Sequence, residues 1–208
     1  MNLRLSVLLI LFAGSGCSLF STRTPESPDT SNTFIWTPAT TVDYLMNNFI
    51  GTVQALDGTN YARVFISATD STGSGSKSFT FTPRPGLDPS SRSIFTSWTP
   101  ESERAWLAKL KTLLAANSQL SLLISNESPP DQSTNTATIS GDYTLSIPIT
   151  GSSSVIPSVV QGSFQMQLLL VTTDQGTKEW RIISWSDFQP QSGSAGSTWS
   201  DLKIKLSS

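Results

Sequence analysis

The sequence predicts an α+β domain, with three helices from its N-terminal half laid on an antiparallel sheet drawn mostly from its C-terminal half. Two observations carry this. From Val159 to Phe188 the chain alternates on both sides of the turn Thr173-Asp174-Gln175-Gly176-Thr177. Phe164, Met166, Leu168 and Leu170 share one face of the first arm, with Gln165 and Gln167 opposite, and the second arm carries Trp180, Ile182, Ile183, Trp185 and Phe188. Period-two alternation around a polar, glycine-containing turn is a hairpin signature, and a lone hairpin is marginal in water, so its apolar face needs a cover. The second observation supplies that cover: the tripeptide Trp-Thr-Pro occurs at 36–38 and again at 98–100, each time just ahead of apolar residues at helical spacing.

From the N-terminus, residues 1–16 have the layout of an export signal: Arg4 beside the amine, an apolar run from Leu5 to Ala13, then Gly14-Ser15-Gly16 and Cys17. The run is too short to span a bilayer, which takes about 20 residues. Residues 17–35 are rich in Ser, Thr and Pro without periodicity, and such a segment cannot bury enough apolar surface to offset its ordering entropy. They read as a tether, and residues 36–208 as the domain with a Gly/Ser-rich tail segment.

Within the domain, Thr37 reads as an N-cap with Pro38 at the first helical position. Val42, Leu45, Met46, Phe49 and Val53 follow at helical spacing to about Leu56, and Asp57-Gly58 interrupts. A short second helix is expected near Asn60, with Tyr61, Val64 and Phe65 on its apolar side. Ser71–Ser76 reads as a turn and Lys77–Thr82 as a strand with Phe79 and Phe81 on one face; Pro83–Pro89 is expected to end regular structure. Thr99-Pro100 then opens a third helix striped by Trp106, Leu107, Leu110, Leu113 and Leu114, with Glu101 and Glu103 suited to its N-terminus and Lys109 and Lys111 to its C-terminal half. Strands are expected at about 119–126, 135–149, 159–172 and 178–188. After the Gly/Ser-rich stretch Gln191–Ser197, residues Trp199, Leu202, Ile204 and Leu206 suggest a small packed segment that returns to the domain.

Composition excludes several functions. Charged residues are only 13% of the chain and the net charge is -2; polarity comes instead from 36 Ser and 25 Thr. Such a surface offers no field for nucleic acid. Histidine is absent, which removes the commonest general base and metal ligand together. No phosphate-binding glycine loop, metal-ligand spacing or nucleophile elbow occurs. The single cysteine cannot form an internal disulfide. The expectation is therefore no catalytic residue, no cofactor and no metal.

Two resemblances sharpen the reading. Residues 1–17 resemble a bacterial lipoprotein signal, in which a small residue precedes the cysteine that is lipidated. Gly16 and Cys17 match, whereas Gly14 stands where a Leu is usual. This implies a lipid-attachment site at Cys17, a membrane partner through that lipid, and a mature chain of 12 basic and 15 acidic residues, net -3, once Arg4 is removed. Ser18 after the cysteine gives no retention signal of the Asp type, so the outer membrane of the bacterial cell envelope is the expected location.

The order helix, short helix, strand, helix, then long antiparallel strands resembles the NTF2-like superfamily, a cone of three helices on a strongly curved sheet. The pieces are Thr37-Pro38, Tyr61 with Phe65, Phe79-Thr80-Phe81, Trp98-Thr99-Pro100-Glu101, and Trp180-Arg181-Ile182 running into Trp185-Ser186-Asp187. The resemblance implies that Tyr61, Phe65, Trp98, Trp106 and Trp180 line the core or a pocket, and that an enzyme on this fold would work from Asp, His or Tyr inside the cone. Asp142 and Asp187 are the strand acids that could face inward, Asp142 reading as solvated and Asp187 as bonded to backbone. Two function classes follow: a non-catalytic binding or assembly module of the envelope, able to form a homodimer through its sheet face, or a small-molecule pocket protein derived from an enzyme. A filled cone with an exposed apolar sheet face favours the first; a polar group in an apolar cavity favours the second.

Overall fold

The hairpin is the centre of the sheet. The computed structural model describes residues 34–72, 77–149, 156–190 and 196–207; Cys17, the export signal and most of the expected tether lie outside the described residues. Strands β1 (Thr80–Thr82), β2 (Ser121–Ser125), β3 (Asp131–Gln132), β4 (Thr136–Ser146), β5 (Val159–Thr172) and β6 (Lys178–Phe188) form one sheet in the order β1-β6-β5-β4-β2, with β3 also on β4. All pairings are antiparallel except β1 with β6. Helices α1 (Val42–Gln54), α2 (Gly58–Ala62) and α4 (Pro100–Thr112) come from the first half of the chain; a short α3 (Pro89–Ser93) with a 3-10 turn (Ile94–Ser97) and a C-terminal α5 (Trp199–Ser207) complete the set. The fold is thus α+β, helices on one antiparallel-dominated sheet.

Inward-facing residues form cross-strand rows. Ile139, Met166 and Trp185 make one, and Gly141, Phe164 and Asp187 the next. The sheet bends where the register slips between Gln167 and Leu168: Gln167 pairs with Ser184 but Leu168 with Ile182, so Ile183 is the extra residue of a β-bulge. Beyond it the simple alternation fails. Leu169 and Val171 are buried while Leu170, expected on the core face, is only half-buried, because both faces of the hairpin are covered there. Phe188, expected with the apolar set, is exposed at the strand end.

The free edge of β6 is closed backbone to backbone. Trp180 N–H donates to Ala39, Ile182 N–H to Val64, and Ile66 N–H to the Ile182 carbonyl. With β1 alongside Ser184–Ser186, little of this long strand is left to pair with another chain.

Three local expectations need correction. The first helix starts at Val42, capped by Thr41, whose Oγ1 accepts from Tyr44 N–H. Thr37-Pro38 lies ahead of it, where Thr37 exchanges two hydrogen bonds with the Asn48 amide (3.2 and 2.6 Å). The second helix starts earlier than expected, on the Asp57 cap, and Val64 and Phe65 lie past its end as buried, partly bridged backbone. Pro89 does not end regular structure but opens α3 at its first turn, with Asp88 as cap. The second tripeptide behaves as expected: Thr99 caps α4 in a reciprocal capping box with Ser102.

One close approach holds the sheet to its interior. A Cβ on Gly162 of β5 would lie 2.4 Å from the Phe188 carbonyl oxygen and 2.5 Å from the Tyr143 hydroxyl. Neither can retreat without breaking a strand pairing or the Tyr143–Asp187 hydrogen bond. Gly162→Ala is therefore expected to destabilise the domain by about 2–3 kcal/mol, an overpacking cost, read as a lowered urea midpoint; a neutral result would show that the strands can part there at no cost.

Candidate functional site

The interior between helices and sheet is where this architecture could hold a ligand, and a buried carboxylate stands at its centre. Glu103, on the first turns of α4, shares a stripe with Trp106, Leu107 and Leu110 and is wholly buried. Its Oε1 accepts from Trp98 Nε1 (2.7 Å) and Lys203 Nζ (2.5 Å), and its Oε2 from the Tyr61 hydroxyl (3.0 Å) and Trp106 Nε1 (2.7 Å). A carboxylate has about four lone-pair positions. All are taken.

Lys203 comes from α5, where Trp199, Leu202 and Leu206 share its buried side. Its ammonium lies 3.6 Å from the centre of the Phe81 ring and 4.0 Å from that of Trp185, so aromatic faces meet the charge that Glu103 does not. Burial lowers the Lys203 pKa to about 8 against the opposing pull of Glu103. Burial, reinforced by the Glu103 charge and hydrogen bond, pushes Tyr61 well above its ordinary value, which keeps its hydroxyl a donor.

A second polar cluster fixes the start of α5. Asp187, also wholly buried, accepts from the Tyr143 hydroxyl (2.7 Å) and from Ser200 through its N–H (2.8 Å) and Oγ (2.5 Å). Tyr143 in turn accepts from Trp199 N–H (2.8 Å). Burial raises the Asp187 pKa, opposed by the hydrogen bonds from Ser200 and Tyr143. Closer to the surface, Arg84 grips Asp201 with Nε and a terminal nitrogen (2.8–3.1 Å). Trp199 fills the space between, its ring centre 4.9 Å from Trp185 and 5.1 Å from Tyr143. The indole N–H groups of Trp185 and Trp199 are buried without a hydrogen-bond partner.

Of the residues singled out in the sequence, Tyr61, Trp98 and Trp106 converge on Glu103, and Phe65 packs edge-on against Tyr61 at 5.2 Å. Trp180 is buried but lies apart, opposite Leu170 on the hairpin. Asp142 faces out, bonded to Asn126 and Ser163; Asp187 faces in and does take a backbone N–H, as expected, but its Tyr143 partner was not foreseen. Sequence reasoning missed Glu103 and Lys203. Both were legible as charges set at apolar-stripe positions: 103, 106, 107 and 110 share one helical face, and so do 199, 202, 203 and 206.

The arrangement ties α2, α4 and α5 together through one carboxylate. Glu103 has no acceptor site left for a substrate proton, and Lys203 is wholly buried against rings. Removing one member of a buried ion pair strands the other charge, at a cost of about 3–5 kcal/mol. Lys203→Met is expected to cost that much, and the double variant Glu103→Gln/Lys203→Met to recover much of it in urea unfolding; additive losses would show that the pair is not coupled. The pH dependence has a definite sign. The Lys203 pKa of about 8 in the fold lies below its ordinary value, so between the two the unfolded chain binds more protons and this contribution to stability rises with pH. The stability difference between wild type and Lys203→Met should therefore widen from pH 8 to 10, and a difference flat over that range would refute the assignment.

No protein-family model matches the sequence, and no curated protein is significantly similar to it. Solved structures are similar in fold. A Novosphingobium aromaticivorans protein provisionally described as a scytalone dehydratase shares 11% identity at a TM-score of 0.49, over 76% of this chain and 90% of its own. Another from that organism, provisionally described as an aromatic ring hydroxylase, shares 13% identity at a TM-score of 0.48, over 74% and 90%. A third, described as an NTF2-like protein with a cystatin-like fold, shares 11% at a TM-score of 0.46, over 73% and 80%. Likeness at this level says nothing of what this chain binds or converts.

Proposed function

We propose that this protein is a non-catalytic binding or assembly module, exported and held at the bacterial cell envelope by lipid on Cys17. The observation that carries the non-catalytic half is the saturation of Glu103. Glu103 has its four acceptor positions filled by Trp98, Trp106, Tyr61 and Lys203, and Asp187, the other inward-facing carboxylate described, is held by Tyr143 and Ser200. A substrate would have to displace α5 and leave two charges unpaired to reach Glu103. Recognition then falls to the outer surface, which suits a domain displayed on a tether.

The anchor rests on the sequence. The sole cysteine ends the apolar run directly after Gly16, and a Ser/Thr/Pro-rich segment follows it. No helix among the described residues is long and apolar enough to cross a membrane; in this reading a diacylglycerol thioether on Cys17 makes the attachment. Each buried methylene contributes about 0.8 kcal/mol, so two or three acyl chains hold stably where one does not. Ser18 after the cysteine gives no retention signal of the Asp type, so the outer membrane is the preferred location in this reading.

Expression of the full-length chain in a bacterium tests the anchor. Wild type is expected in the detergent phase, with an acyl mass increase on the peptide that begins at Cys17. Cys17→Ala is expected to lose both the modification and the processing that depends on it. An unmodified mature N-terminus downstream of Cys17 would leave a soluble exported protein instead.

A further inference from the structure

The outward side of the sheet has the opposite character to its core side. Between the inward rows, Ser125, Asp142, Ser163 and Phe188 lie side by side across β2, β4, β5 and β6, and Ser140, Gln165 and Ser186 form the adjacent row. At this end of the sheet a surface groove of about 630 Å³ opens over Asn126, Asp142, Ser163, Gln165, Phe188 and Gln189. That volume is within the range of small-ligand sites, about 300–1,000 Å³.

The groove is built. Asp142 Oδ2 accepts from Asn126 Nδ2 and Oδ1 from Ser163 Oγ, both at 2.7 Å. Asn126 reaches it from a left-handed backbone position (φ 50°) just past the end of β2. These two bonds lower the Asp142 pKa, so the group is a fixed carboxylate at neutral pH, and each oxygen keeps an acceptor position free for a ligand hydroxyl. Gln165 and Gln189 add amides that both donate and accept. Phe188, 39% exposed, adds a flat apolar ring at the rim.

The lining contains one carboxylate and no cation, which disfavours phosphates, uronates and nucleic acid. It also lacks the apolar centre that a stable interface with a second copy requires: the groove is lined chiefly by hydroxyls, amides and Asp142, with Phe188 its one exposed large apolar side chain. What fits a fixed carboxylate, amides, hydroxyls and one aromatic face together is a neutral ring with hydroxyls on its edge and C–H groups on its face. Vicinal hydroxyls donate to the carboxylate, and the slightly positive C–H groups lie on the negative face of the ring.

We propose that this groove binds a neutral saccharide, with Asp142 accepting from ring hydroxyls and Phe188 stacking on the pyranose face. The proposal rests on reading the domain as a binding module with its recognition surface outside, and is independent of lipidation at Cys17.

The test is calorimetric titration of the full chain with cellotriose, maltotriose and N,N′,N″-triacetylchitotriose, and with trigalacturonic acid as the anionic counterpart. At least one neutral trisaccharide is expected to bind with a dissociation constant below about 10 mM, and the trigalacturonate is not. Phe188→Ala and Asp142→Ala are each expected to weaken binding at least tenfold, and Asp142→Asn to restore part of it. An unchanged urea midpoint for Phe188→Ala, at a strand end, separates lost binding from lost fold. No binding by any of the three sugars, equal binding of the anionic one, or indifference to Phe188→Ala would overturn the proposal. So would a homodimer in sedimentation that Phe188→Ala dissolves; the anchor at Cys17 would stand in each of these cases.

Discussion

A carboxylate removed from water must find its charge and its lone pairs answered within the protein, and Glu103 sets that requirement at the centre of this domain. Its partners come from four separate segments: Tyr61 from α2, Trp98 from the loop before α4, Trp106 from α4 itself and Lys203 from α5. Greasy packing alone would let the helices slide over the sheet by a fraction of a turn at small cost. Four directional bonds to two oxygen atoms do not allow it. Desolvating two ions is expensive, and an apolar replacement of similar volume is often no less stable; what the Glu103–Lys203 pair secures here is the seating of α5 among Phe81, Trp185 and Trp106.

The two sides of the sheet divide the work. The inner side, with Met166, Trp185 and Phe164, is committed to packing and to holding α5 through Asp187 and Tyr143. At the groove end the outer side carries none of the core and is free to be polar, whereas past the bulge it is covered over Leu169 and Val171. The hydroxyl-rich composition that first looked like a negative feature, ruling out nucleic acid, is the chemistry of that outer surface. Ser and Thr dominate the strand positions that face water, and only Phe188 breaks the pattern at the groove.

How far the sequence discloses this varies with the kind of signal. The hairpin was readable because two-residue alternation is a direct projection of strand geometry; it misled at the strand end, where Phe188 is exposed, and past the bulge at Ile183, where Leu170 is only half-buried. Thr99-Pro100 and Thr37-Pro38 look alike, yet only the first caps a helix; Asn48 captures the Thr37 backbone and Thr41 takes the cap. The aromatic lining was legible from Tyr61, Trp98 and Trp106 by type and position. Their common focus was not, because Glu103 reads equally well as a partner for the helix dipole and Lys203 as a solvated charge near the end of a helix. Their places on apolar stripes mark both as inward-facing, yet no local rule pairs residues 100 positions apart.

That separation has an effect on the order in which the domain can be completed. Glu103 precedes its cation by 100 residues, and Asp187 precedes Ser200, which caps it. A chain in the course of synthesis therefore has every other described strand and helix before it has α5, and until α5 arrives Glu103 lacks its cation and Asp187 lacks Ser200. Long-range closure of this kind delays commitment to the native state. The contact of Lys203 with Glu103 is therefore among the last that a chain made from its N-terminus can form.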